Sequence, residues 1–109
     1  MEIIWSKDAG DELFEIISYI KNNTGKITAW KIFKKINDEV KKASKNAAGR
    51  RIAPMLMNFG IKNIHQLNIS PWAIFYKVDN NEMQIISIID QRRNLEEILY
   101  KKILDGKIK

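Results

Sequence analysis

Cysteine is absent from this 109-residue chain. That excludes a disulfide scaffold and any thiolate metal centre, and it fits a reducing cytoplasm, where the chain is expected. His65 is the single histidine, so no histidine pair stands at ligand spacing; neither a metal nor a cofactor is expected. Long apolar runs are missing as well. No segment approaches the ~18 uninterrupted apolar residues of a membrane span, and no basic stretch leads into an apolar one at the start, so neither a membrane partner nor a signal peptide is expected. Gly-rich phosphate loops and nucleophile elbows are lacking too, which removes most enzyme signatures. Five glycines, two prolines and 45% hydrophobic residues describe one globular domain over residues 1–109, without repeats or low-complexity segments.

Acidic residues are the other shortage, thirteen against nineteen cations, for a net charge of +6. Such an excess favours polyanionic partners through counterion release and steering, although a lysine-rich surface also serves solubility alone. The four arginines come as two pairs, Arg50-Arg51 and Arg92-Arg93, and the other fifteen cations are lysines. Arginine is the better bidentate ligand for phosphate or carboxylate, so the pairs carry more weight than the lysines.

The patterning predicts α+β with the order β-α-α-β-β-β-α. Met1–Trp5 reads as a strand, and Ser6 or Asp8 caps a helix whose apolar residues Leu13, Ile16, Ile17 and Ile20 recur at helical spacing. After Asn22-Asn23-Thr24-Gly25 a second helix runs from about 27 to 44, completing a helical hairpin. Its stripe is Ala29, Ile32, Phe33, Ile36, Val40 and Ala43, and its lysines read as a solvated face. Residues 46–54 read as a loop. Residues 61–69 form an imperfect strand that a bulge near Asn63 would repair. Pro71 fits a strand start. Ile74–Val78 and Met83–Ile89 make a hairpin about Asn80-Asn81. The second of these strands is apolar on both faces except at Ser87, which places it centrally. A last helix, about 94–104, is capped by Asn94 and buries Leu95, Ile98, Leu99 and Ile103. The sheet is thus four-stranded and largely antiparallel, with the helical hairpin packed on it.

Among single residues, Arg92-Arg93 is the strongest candidate. It lies where a buried strand meets a helix whose amides can hold an anion, the alternative being ion pairs with Asp90, Glu96 or Glu97. Arg50-Arg51 sits on a loop, where recognition residues gather. His65 reads as structural, Tyr76 as part of a packed face, and Tyr100 as exposed.

Taken in order, several stretches resemble the RelE/ParE superfamily of toxins from bacterial type II toxin–antitoxin modules. They are Trp5-Ser6 leading to Asp11, Leu13, Ile16, Tyr19 and Ile20; Gly49-Arg50; Gly60-Ile61; Pro71-Trp72 with Ile74-Phe75-Tyr76 and Val78-Asp79; and Asp90, Arg92-Arg93, Leu95-Glu96 and Leu99. The resemblance implies a cytoplasmic toxin of the plasmid-stabilisation kind. It would be held inactive in a hetero-oligomer by an antitoxin whose disordered segment folds over helices and sheet, and would arrest growth when released. RelE-like members cleave mRNA on the ribosome, whereas ParE-like members act on DNA gyrase.

RNA cleavage needs a base, positive charge at the phosphate and an acid for the leaving oxygen. The resemblance maps these roles onto Arg92, Arg93, Tyr100 and the hairpin position that usually holds arginine, here Ala73. Arg50, Arg51 and Lys77 are the residues expected to bind nucleic acid or target. Ala73 is read as a natural loss or, preferred because every neighbouring residue keeps the pattern, as a substitution that permits production of a toxic protein, and implies attenuated activity in either case. The ending at Arg92–Leu99 and the weak acid/base set lean to the gyrase-directed branch, a binding function. The alternatives are a RelE-like endoribonuclease, which leaves open whether the chain is an enzyme, and a basic nucleic-acid-binding module with no toxin role.

Overall fold

The computed structural model describes residues 1–108. It contains β1 (Glu2–Trp5), α1 (Lys7–Thr24), α2 (Lys26–Ser44), α3 (Pro54–Met57), β2 (His65–Ile69), β3 (Trp72–Asp79), β4 (Glu82–Asp90) and α4 (Leu95–Leu104), with a three-ten turn at Ala47–Gly49. The strands form one sheet in the order β1-β4-β3-β2. β1 joins β4 in parallel, and β2-β3-β4 is an antiparallel meander. The expected α+β architecture holds, with β4 inside the sheet.

Local chemistry sets the element ends. Ser6 caps α1, its Oγ accepting from the Ala9 amide at 3.1 Å. Gly25, at φ +99°, separates α1 from α2 in a conformation that side chains resist. Asn80 (φ 50°) and Asn81 (φ 61°) supply the two left-handed residues of a tight β3–β4 turn. Asn94 caps α4, accepting from the Glu97 amide at 3.1 Å.

Helices cover both faces of the sheet. On one, α1 and α2 bury Leu13, Ile36 and Val40 against Trp72, Ile74, Tyr76, Met83, Ile85 and Ile88. On the other, α3 and α4 bury Leu56 and Leu99 against Ala73, Phe75 and Ile89. Strict alternation along β3 therefore sends Trp72, Ile74 and Tyr76 to the hairpin side and Ala73 and Phe75 to the α4 side.

Two expectations are corrected. Residues 61–64 are not strand: Pro54 opens the short helix α3, in the first-turn position where its missing N–H costs nothing, and β2 begins only at His65. The bulge lies in β4. Phe75 faces Ser87 while Tyr76 faces Ile85, which leaves Ile86 unpaired. The extra residue shifts the phase of β4 so that Met83, Ile85 and Ile88 all reach the helical hairpin.

Candidate functional site

β1 pairs with β4 only as far as Trp5 opposite Ile85. Beyond that point β4 has no strand on this side, because the chain turns at Ser6 into α1. Ser6 N–H donates to Ile85 O at 2.9 Å and Ser6 Oγ to Ile86 O at 3.3 Å. The upper half of β4 is thus an edge inside a four-stranded sheet. Glu12, reaching from α1, satisfies part of it. Its Oε1 accepts from the Ile88 amide at 3.2 Å and from Ser87 Oγ at 2.9 Å.

Lys102, 9% exposed on α4, approaches Glu12 Oε2 at 3.4 Å and Asp8 Oδ2 at 3.3 Å, and Lys107 joins Asp8 at 2.9 Å. The hydrogen bond from Lys107 lowers the Asp8 carboxyl below its ordinary value, against the opposing effect of burial. This network ties α1, β4 and α4 together across the sheet edge.

Beside the edge, between it and the helical hairpin, runs an open groove of about 880 Å³. Ile16, Ile20, Ile32, Trp72 and Ile88 give it an apolar lining; Glu12, Glu15, Asp90, Arg92 and Arg93 give it charge. Arg92 is not poised over empty space. Its Nε donates to Asp90 Oδ1 at 3.0 Å, its backbone N–H to the same oxygen at 2.9 Å, and Nη2 bonds Oδ2. The Arg92 side-chain hydrogen bond lowers the Asp90 carboxyl to about 2. Since the folded value lies below the unfolded one, the pair's contribution is present above the ordinary carboxylate range and disappears as pH falls toward 2. Arg93 forms no ion pair among the described residues, and its side chain lines the groove. At the start of α4 Asn94 Oδ1 accepts from the Glu97 amide, and the carboxylates of Glu96 and Glu97 in the first turn oppose a further anion there.

The remaining expected site residues lie elsewhere. Tyr100 stacks on Phe59 with ring centroids 5.3 Å apart, in a shallow depression shared with Asn94, Glu96 and Glu97. Ala73 is fully buried in the α4-side cluster with Ile89, Phe75 and Leu99. Lys77, half-buried, pairs with Gln84, six residues from Asp90 along β4, or about 20 Å at strand rise. Arg50 bonds Asn46 at 3.2 Å, and the Arg51 carbonyl accepts from the Gln66 amide at 3.0 Å, which fixes that pair beside β2. Only Arg92 and Arg93 of the expected set share a groove.

His65 is structural. Its Nδ1 contacts the Arg50 carbonyl at 2.9 Å, which makes that nitrogen the protonated one, and its ring stacks on Tyr76 at 5.0 Å. Tyr76 Oη donates to Ala47 O at 2.9 Å, and burial raises its pKa. What sequence reasoning missed is Glu12 and Lys102. Both sit among charged residues on helices, and only the tertiary meeting of α1, α4 and the β4 edge gives them a role.

No helix is long and apolar enough to cross a membrane among the described residues. Among curated proteins none matches the chain. A solved chromosomal ParDE toxin–antitoxin system from P. aeruginosa shares the fold, with a TM-score of 0.69 and 22% identity over 83% of this chain and 95% of that one. A YoeB dimer from Staphylococcus aureus aligns at 0.49, with 23% identity over 80% of this chain and 92% of that one. The family model for the ParE toxin of the type II toxin–antitoxin system parDE matches residues 3–95. The match spans every strand and both helices of the hairpin, and the chain therefore belongs to the ParE toxin family of type II toxin–antitoxin systems.

Proposed function

We propose that this toxin acts by binding DNA gyrase rather than by cutting RNA, and that an antitoxin segment silences it by folding into the groove beside β4. The observation that carries the first part is the scatter of the candidate catalytic residues. Cleavage of RNA needs its base, acid and phosphate ligand within about 3 Å of the reacting atoms. Here Ala73 is buried under α4, Tyr100 stacks on Phe59, and Arg92 is committed to Asp90. The match to ParE toxins over residues 3–95 supports the same branch.

The groove and the edge support the second part. A disordered segment that folds on binding gains main-chain hydrogen bonds at a strand edge and an apolar floor for alternate side chains. The target is tested by adding the purified toxin to gyrase supercoiling reactions and to a translating extract. Supercoiling is expected to stop while mRNA stays intact. Ribosome-dependent cuts in the mRNA with normal supercoiling would establish the RelE-like alternative instead.

A further inference from the structure

Charge is distributed unevenly along the chain. From Lys21 to Lys45 the chain holds eight lysines and two acids, Asp38 and Glu39; the rest holds eleven cations and eleven acids. The net charge of +6 therefore sits on Lys21 in the last turn of α1 and on α2 with the lysine that follows it. All eight lysines are exposed. On the same helix Ile27, Trp30 and Phe33 are exposed by 75%, 62% and 43%.

Helical spacing orders these residues. Lys26, Trp30, the adjacent pair Phe33 and Lys34, then Asn37 and Lys41 recur at steps of three or four residues on a single flank, a track about 22 Å long at 1.5 Å per residue. Asp38 and Glu39 border this track: both share a shallow depression with Trp30 and Lys34, and Asp38 holds Lys34 at 2.6 Å. Thr28 and Ile32, which line the groove beside β4, project from the opposite flank, so an occupant of the track leaves the groove accessible.

We infer that this flank of α2 is a binding track for single-stranded nucleic acid, with bases stacking on Trp30 and Phe33 and phosphates meeting Lys26, Lys34 and Lys41. Aromatic rings interleaved with lysines are what a strand with unpaired bases requires, since every base has a face to stack and every link a charge to neutralise. A duplex hides its bases and would leave the indole uncovered. A second copy of the chain would bring two sets of lysines together. A flat anionic membrane would meet the outermost ridge of the helix, which is charged at Lys31, Lys34 and Asp38 and apolar only at Ile27.

The test uses the full chain and a fluorescein-labelled oligo-dT strand, read by anisotropy over a range of salt. Changing Trp30 and Phe33 together to alanine is expected to weaken binding about tenfold or more. Changing Lys26, Lys34 and Lys41 to glutamine is expected to lower the slope of log affinity against log salt by about 2, at ~0.7 per phosphate contact. A control triple, Lys7, Lys62 and Lys101 to glutamine, should change the affinity less than twofold. All these residues are exposed, and circular dichroism melting confirms that each variant folds. The inference is overturned if the alanine pair binds as tightly as the native chain or if the control triple weakens binding equally. Equal affinity for a duplex of the same length, binding to phosphatidylserine vesicles but not to the strand, or no binding at low salt would overturn it too.

Discussion

Replacing Ala73 by arginine is expected to cost about 4 kcal/mol of stability, as read from urea or thermal unfolding, a large part of what a domain of this size has to lose. Ala73 is wholly inaccessible and belongs to the layer that Phe75, Ile89 and Leu99 form between sheet and α4. Its neighbours across the ladder are Asn68 on β2 and Ile89 on β4. A guanidinium placed there would either be buried without a carboxylate or force α4 off the sheet, and each route is expensive. Ala73→Ser, which adds a single oxygen, should cost no more than about 2 kcal/mol.

The arginine expected at this position from family resemblance thus meets a packing layer formed around alanine. An Ala73→Arg variant that unfolds at the native midpoint would show that α4 moves aside at little cost. Ribosome-dependent cutting of mRNA by that stable variant would then reopen the RNA-cleaving alternative.

The second large effect is expected at Glu12. Removing its side chain by Glu12→Ala should destabilise the fold by about 2–3 kcal/mol. One carboxylate serves the Ile88 amide, the Ser87 hydroxyl and Lys102. Without it Lys102, 9% exposed, keeps only Asp8 at 3.3 Å, and the Ile88 N–H faces the open edge with no acceptor. Glu12→Gln keeps an acceptor oxygen and should lose about half as much. The double change Glu12→Leu with Lys102→Met removes both charges and should recover most of the loss, leaving about 1 kcal/mol for the orphaned amide. A double-mutant cycle by urea unfolding gives the coupling directly. Additive losses at the two positions would mean that the network contributes nothing as a unit.

Much of the fold was legible because its signals are local. Ser6 and Asn94 are caps followed by helical periods, Asn80-Asn81 carries the backbone preference of a tight turn, and Ile74, Tyr76 and Val78 alternate as a packed strand face should. The misreadings share a physical origin. The Pro54–Met57 helix is too short to show a period, so the residues after it were joined into a strand that begins only at His65. Ile85-Ile86-Ser87-Ile88-Ile89 is apolar on both faces, and a run without alternation cannot reveal where its register slips.

The site was less legible than the fold. Arg92-Arg93 could be found from sequence because its two residues are adjacent. That Asp90 takes Arg92, that Phe59 takes Tyr100, and that Lys102 is buried by Asp8 and Glu12 all depend on contacts between distant parts of the chain. The lysines of α2 read singly as a solvated face, yet together they hold most of the charge excess beside exposed aromatics.

On the function proposed above, the antitoxin silences this toxin in the groove between the helical hairpin and the strandless upper edge of β4. Ile88 turns its amide away from β3 toward Glu12, and the two-residue period of a strand turns Asp90 the same way. Amide hydrogen exchange of the toxin alone and with its antitoxin tests the claim most directly. Protection is expected to rise at Ser87–Asp90 and at the α1 residues lining the groove, while α3 and α4 exchange as before. Protection gained on α3 and α4, with the β4 edge unchanged, would contradict it.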